Sequence, residues 1–177
     1  KIFLLIAVTL GSLGFAADNS TWIVKKTSWS TQDEKNYQDF IASIGQAVAD
    51  RKCRTTDTCL RSSANPFRAT DPASLKMTSD CAYLPYFLRS YFAWKNNLPI
   101  NFPTLISPVG GSHDIRYSPQ GNAVRKRKTI FSGQQGPYVI NTLIRSTVSS
   151  AAFRMEYDVG QGGFEADDFY SAKLSRD

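Results

Sequence analysis

Histidine and cysteine are scarce in this chain, and their small numbers limit its chemistry. The 177 residues include one His and three Cys. Imidazole and thiolate are the usual ligands of zinc in proteins. A metal centre built from several histidines is excluded, because the chain has only one. A catalytic base of the histidine type must therefore be His113 or lie outside this chain.

Long apolar runs are also lacking. The run Ile2–Leu10 is shorter than the roughly 20 apolar residues that a membrane-spanning helix needs. Followed by small residues, it predicts a secretory signal cleaved after Ala16. We therefore expect an exported protein, periplasmic or extracellular, with a signal peptide at 1–16, a tether or short strand at 17–29 and one domain at 30–177.

Several catalytic signatures are absent as well. The sequence contains no G-x-S-x-G motif, no phosphate-binding loop and no dinucleotide fingerprint. The acidic residues are scattered, and Glu165 with Asp167 and Asp168 is more typical of a solvated surface than of a paired acid and base. We predict no cofactor and no bound metal.

Positively charged residues outnumber negatively charged ones in this chain. Lys and Arg number 21 against 15 Asp and Glu, a formal net charge of +6. The densest run, which we call the basic patch, comprises Arg125, Lys126, Arg127 and Lys128. In an exported protein such a patch favours anionic envelope material, wall polymers or lipid headgroups, over nucleic acid. The simpler interpretation is a solvated edge or loop.

Two segments have the pattern of long helices. Ser30 and Asp33 form a capping box ahead of apolar residues at helical spacing, which predicts an amphipathic helix over 31–51. The segment 81–95 is apolar on almost every side and predicts a helix buried at the centre of the fold.

The remaining segments are weaker. We predict a long loop over 53–72, because this segment is polar and lacks periodicity. A Pro/Gly-rich passage covers 101–112. Gly136 and Pro137 open a further helix, and 153–159 alternates like a half-buried strand. The whole indicates an α+β domain with its helices first and its antiparallel strands late.

The three cysteines divide into a pair and a single thiol. Cys53 and Cys59 enclose a short polar loop, so a local disulfide between them is geometrically easy. A zinc site made of the three cysteines and His113 is disfavoured, because the cysteine spacing is wide and export disfavours free thiolates. Cys81 remains as the free thiol.

Cys81 directly follows Asp80 at the start of the predicted central helix. The N–H groups of a first helical turn stabilise negative charge, which lowers the pKa of a thiol there and raises its nucleophilicity. The alternative is that Cys81 is a small buried hydrophobic side chain. Nearby, Tyr83 is a candidate for the lining of a substrate groove.

The segment Asp80-Cys81-Ala82-Tyr83-Leu84 resembles the Asp-Cys-Ser-Gly-Leu/Phe signature of NlpC-type cell-wall peptidases, the bacterial branch of the papain-like fold. Tyr83 replaces the glycine of that signature. The resemblance implies a papain-like fold and a secreted cysteine hydrolase acting on amide bonds of peptidoglycan peptides or similar substrates. It also implies that Cys81 is the nucleophile.

The same family places a histidine on a strand that follows the cysteine. His113 is the candidate in this chain, with Asp114, Asn122 or Asn141 as groups that orient its imidazole. A papain-like sheet needs more strands than the sequence indicates. We therefore also consider that the chain continues past Asp177 and that the base lies there.

Two classes of function remain open from the sequence. One is the exported cysteine hydrolase, with Asp80, Tyr83 and Asp114 supporting Cys81 and His113. The other is a non-catalytic envelope-binding protein that uses the basic patch, with Cys81 as inert core.

Overall fold

Helices and short antiparallel sheets make up the part of the chain that the computed structural model describes, residues 20–72, 75–80, 83–110 and 122–146. In chain order the elements are β1 (Thr21–Trp22), α1 (Thr31–Ala49), α2 (Thr56–Arg61), a 3-10 turn (Arg68–Thr70), α3 (Leu84–Lys95), β2 (Asn101–Pro108), β3 (Asn122–Thr129), β4 (Gln134–Gln135), α4 (Gly136–Tyr138) and a π-helical segment (Val139–Ile144). This mixture confirms the α+β class.

Helix α1 forms where the sequence predicts it. The Ser30 hydroxyl accepts from the Asp33 N–H, and the Asp33 carboxylate accepts from the Ser30 N–H at 2.9 Å, so the capping box is confirmed. At the other end, Arg51 has a left-handed φ of 58° and the Lys52 N–H bonds to the Ala47 carbonyl. This is the Schellman ending that satisfies the last carbonyls of a helix.

The segment 53–72 is more structured than predicted, and the expectation of a long loop is wrong. It contains α2, whose N-cap Thr55 forms a reciprocal capping box with Thr58. The predicted disulfide between Cys53 and Cys59 is present. It ties the chain before α2 to the helix itself, and both cysteines are buried.

Helix α3 is the central element, as predicted. Seven of its residues are buried, namely Tyr86, Phe87, Ser90, Tyr91, Phe92, Ala93 and Trp94. Its rings pack against Phe40 of α1 and against Phe67 after α2, with centroids 5.8 to 6.3 Å apart. Aromatic contacts of this kind join the helical elements into one core.

The sheets differ from the prediction. The Pro/Gly-rich passage beginning at Asn101, for which the sequence predicts no strand, forms β2, which pairs antiparallel with β3 from Asn101 opposite Thr129 to Pro108 opposite Asn122. Prolines lowered the strand signal, yet a proline is tolerated where its missing N–H faces the open edge of a strand. Strands β2 and β3 follow helices α1 to α3, in the expected order of helices before strands, but the sequence pattern predicts neither of them. The strand expected at 153–159 lies outside the described residues.

A second, smaller strand pair joins the start and the end of the described region. β1 pairs with β4, Thr21 opposite Gln135, which places the short strand predicted near the N-terminus against the helix opened by Gly136. There a Cβ at Gly136 would lie 2.4 Å from Trp94 Cε2. Only glycine allows the backbone this close to the Trp94 ring.

Candidate functional site

The turn that leads into helix α3 is organised by Asp80. Its carboxylate oxygen Oδ1 accepts from the Tyr83 N–H at 2.8 Å, and its backbone carbonyl accepts from the Leu84 N–H at 2.9 Å. These are the two bonds that an N-cap residue makes with the first turn of a helix. Asp80 therefore caps the turn before α3.

The C-terminal end of α3 is also capped. Asn97 has a left-handed φ of 58°, and the N–H of the buried Leu98 donates to the Ala93 carbonyl at 2.8 Å. This Schellman arrangement ends the helix at the Asn96–Asn97 pair, as the sequence predicts. With Pro85 in the first turn, where proline is tolerated, both ends of α3 are fixed.

Tyr83 lies in the core and not in an open groove. Its side chain is 1% exposed, and its hydroxyl donates to the carbonyl oxygen of Ile140 in the π-helical segment. Burial raises the pKa of Tyr83, an effect that the nearby Arg145 partly opposes. Tyr83 is therefore a neutral hydrogen-bond donor that links α3 to the π-helical segment, and the expectation that it lines a groove is wrong.

The predicted catalytic pair is not part of the described structure. Cys81, His113 and Asp114 lie outside the described residues. Of the other groups proposed to orient an imidazole, Asn122 is fully buried at the start of β3, and Asn141 is half-buried in the π-helical segment.

The basic patch lies on strand β3. Arg125, Lys126 and Lys128 are exposed and Arg127 is half-buried. Within the described residues β3 pairs with β2 alone, so it is a sheet edge. Three of the four side chains of the basic patch are thus exposed on a strand, and the run does not form a loop.

Sequence reasoning missed a cluster around Arg89 of α3. Its guanidinium binds the Glu34 carboxylate through two contacts of 2.5 and 3.0 Å and lies 3.9 Å from the centroid of the Trp29 ring. The Trp29 indole N–H donates to the Pro99 carbonyl at 2.7 Å. Burial raises the pKa of the neighbouring Tyr37 to about 12, so its hydroxyl stays protonated at neutral pH.

This cluster borders a cavity of about 420 Å³, which extends to Asn101 and Thr129 at the end of the β2–β3 pair. Arg89 and Glu34 neutralise each other inside it. The cavity therefore presents an ion pair, an aromatic edge and polar groups rather than a nucleophile.

A second missed cluster is a buried ion pair at the C-terminal end of α3. Lys95 Nζ lies 2.7 Å from Asp71 Oδ1, and the two side chains are 6% and 5% exposed. The Tyr91 hydroxyl donates to the same carboxylate at 2.8 Å and accepts from the Asn65 amide at 2.7 Å. The four residues come from three separate segments, so their spacing along the chain gives no signal.

The described residues hold no group of three or more His, Cys, Asp or Glu side chains arranged to bind a metal ion. Across the same ranges, no helix combines the length and the apolar character needed to cross a membrane.

Comparison of the chain with protein-family models, with curated proteins and with solved structures finds no match.

Proposed function

We propose that this chain is an exported cysteine hydrolase of papain-like type in which Cys81 is the nucleophile. The observation that carries the proposal is the capped turn at Asp80, whose side chain and carbonyl bond to the Tyr83 and Leu84 N–H groups. Asp80 is the residue that immediately precedes Cys81 in the sequence. A thiolate at such a position is favoured by the helix dipole.

The fold contributes a rigid support for this position. Helix α3 is buried along most of its length, and Tyr83 ties its start to Ile140. A nucleophile gains most from a fixed position, because orientation replaces part of the activation entropy. The order of helices followed by an antiparallel strand pair is compatible with a papain-like domain.

The proposed reaction is hydrolysis of an amide or peptide bond in envelope material, such as a peptidoglycan peptide. The Cys81 thiolate attacks the carbonyl carbon, and the C–N bond breaks as the leaving amine takes a proton from an imidazolium. Water, deprotonated by the same imidazole, then hydrolyses the thioester and restores the thiol. His113 is the one imidazole that this chain offers.

The capped turn also limits where the oxyanion is stabilised. The N–H groups of Tyr83 and Leu84 are already bonded to Asp80. A developing oxyanion would therefore take its hydrogen bonds from the N–H of residue 81 and from a donor outside the described residues.

The test is the rate at which Cys81 is alkylated by iodoacetamide between pH 5 and 9. The disulfide leaves Cys81 as the one thiol of the chain, so the label reports on it alone, and Cys81→Ser is the blank. We expect the folded protein at pH 6 to react faster than the same protein in urea with its disulfide intact. A folded rate equal to or below the unfolded rate would contradict the proposal.

A second variant tests the base. If His113 forms an ion pair with the thiolate, His113→Gln moves the midpoint of the alkylation profile toward the pH of an ordinary thiol, near 8.5. A profile that His113→Gln leaves unchanged would assign the base to another residue.

The second candidate function is a non-catalytic envelope-binding protein, and the exposure of the basic patch on β3 favours it. The alkylation experiment separates the two, because a binding protein has no need of an activated thiol. An inert Cys81 together with binding to anionic envelope material would select this candidate.

A further inference from the structure

Three cations of the basic patch, Arg125, Lys126 and Lys128, have no acidic partner among the described residues. Arg125 Nε donates to the neutral Ser107 hydroxyl at 2.7 Å, which leaves its charge uncompensated. Lys126 and Lys128 are exposed, and none of the ion pairs formed among the described residues includes Arg125, Lys126 or Lys128. The exposed ion pairs among the described residues, Lys35–Asp39, Lys52–Asp50 and Arg61–Asp57, lie on other elements. Strand β3 is therefore a locally cationic surface.

Two large apolar side chains are exposed beside these cations. Leu105 on β2 is the register partner of Lys126 and is 53% exposed. Phe131 follows β3 three residues after Lys128 and is 71% exposed, the largest exposure among the described large hydrophobic residues. Exposed cations and exposed apolar side chains therefore occur together on the β2–β3 pair and directly after it, and we call this set the β3 edge (Leu105, Arg125, Lys126, Lys128 and Phe131).

We propose that the β3 edge binds the surface of a bilayer rich in anionic phospholipids. Lysine and arginine side chains are attracted to phosphate headgroups, and exposed Phe and Leu side chains are stabilised at the boundary between headgroups and acyl chains. A soluble polyanion would satisfy the cations but would leave Phe131 and Leu105 in water. The apolar pair therefore favours a bilayer over a dissolved polymer.

The proposal is independent of Cys81, and it places the protein at a surface rather than across it. The experiment measures partition of the full chain into vesicles of phosphatidylglycerol and phosphatidylcholine at 0.1 M salt. Vesicles of phosphatidylcholine alone are compared in parallel. The ratio of the two partition coefficients isolates the charge-dependent part, because uncharged apolar segments such as Ile2–Leu10 contribute to both.

We expect Lys126→Gln/Lys128→Gln to lower this ratio on the order of 25-fold, about fivefold for each cation. The matched control is Lys35→Gln/Lys52→Gln, which removes the same charge from exposed lysines 62% and 67% accessible near α1. The control ratio should stay within about twofold of the parent, because these lysines do not belong to the β3 edge. Far-ultraviolet circular dichroism confirms that all variants are folded.

Phe131→Ser separates a bilayer from a soluble polyanion. It should weaken partition into the anionic vesicles on the order of tenfold and leave binding to soluble polyphosphate unchanged. Val48→Ser, at another exposed apolar side chain, is its control and should change neither.

Two results would overturn the proposal. One is an equal loss for the β3 double variant and for its α1 control, which would mean that net charge alone directs binding. The other is patch-dependent binding to polyphosphate with no effect of Phe131→Ser on vesicles, which would assign the surface to an anionic polymer. Neither result bears on the reactivity of the Cys81 thiol.

Discussion

Replacing Lys95 by Met should destabilise the protein strongly, because it leaves a buried carboxylate without its cation. Lys95 Nζ is 2.7 Å from Asp71 Oδ1, and both side chains are almost fully excluded from solvent. Lys95 also donates to the carbonyl and hydroxyl oxygens of Thr70 at 3.0 and 3.2 Å. Methionine matches the length of the lysine stem, so the substitution removes the charge and the donors with little change in volume.

The expected loss follows from the burial of the pair. Removing one partner of a buried ion pair costs about 3–5 kcal/mol. Asp71 keeps the hydrogen bond from the Tyr91 hydroxyl, which places the expected value at the low end, about 3 kcal/mol. The matched control is Lys35→Met, whose partner Asp39 lies 3.2 Å away with both side chains more than half exposed. That change should cost less than about 0.5 kcal/mol.

The assay is urea unfolding followed by circular dichroism, with the free energy obtained by linear extrapolation. The double variant Lys95→Met/Asp71→Asn should regain much of the loss, because asparagine removes the unpaired charge and still accepts from Tyr91. The reasoning is refuted if Lys95→Met and Lys35→Met differ by less than about 1 kcal/mol. It is also refuted if the double variant is no more stable than Lys95→Met alone.

Two further predictions concern glycines and acid. Gly136→Ala should destabilise the protein by about 1–3 kcal/mol, because the added Cβ would overlap the buried Trp94 ring. Gly45→Ala, where the added Cβ meets open space in α1, should stabilise the protein by about 0.5–1 kcal/mol. The same urea assay measures both changes. The pKa of Asp33 is lowered from 3.8 to about 2 by hydrogen bonds from Lys26 and Ser30, so its contribution to stability is complete above about pH 4 and is lost as the pH falls toward 2. Urea midpoints between pH 5 and 2 should therefore fall less for Asp33→Asn than for the parent, and parallel curves would contradict this.

Helices α1 and α3 could be predicted because their signals are local. The capping box of Ser30 and Asp33 and the stop at Asn96–Asn97 depend on residues within one turn of each other. The disulfide was predictable for the same reason, because its loop is too short to require any knowledge of the fold.

The strands and the buried clusters could not be predicted in this way. Strand β2 carries Pro103 and Pro108, and its pairing with β3 is decided by contacts between segments rather than by propensity. The position of Tyr83 was misjudged because its closeness to Cys81 in sequence says nothing about the direction of its side chain. Its partner, the Ile140 carbonyl, is 57 residues away.

The two ends of α3 connect stability to the proposed chemistry. Asp80 and Tyr83 fix the start of the helix. The Lys95–Asp71 ion pair holds the last turn of the helix against the 3-10 turn that precedes α3 in the chain. If the reactivity of Cys81 depends on the capped turn, it should disappear in the same cooperative transition that unfolds α3. Lys95→Met should therefore shift the urea midpoint for loss of rapid alkylation without changing the alkylation rate in the absence of urea. A lower rate in the still-folded variant would instead mean that the last turn of α3 controls the geometry at its first.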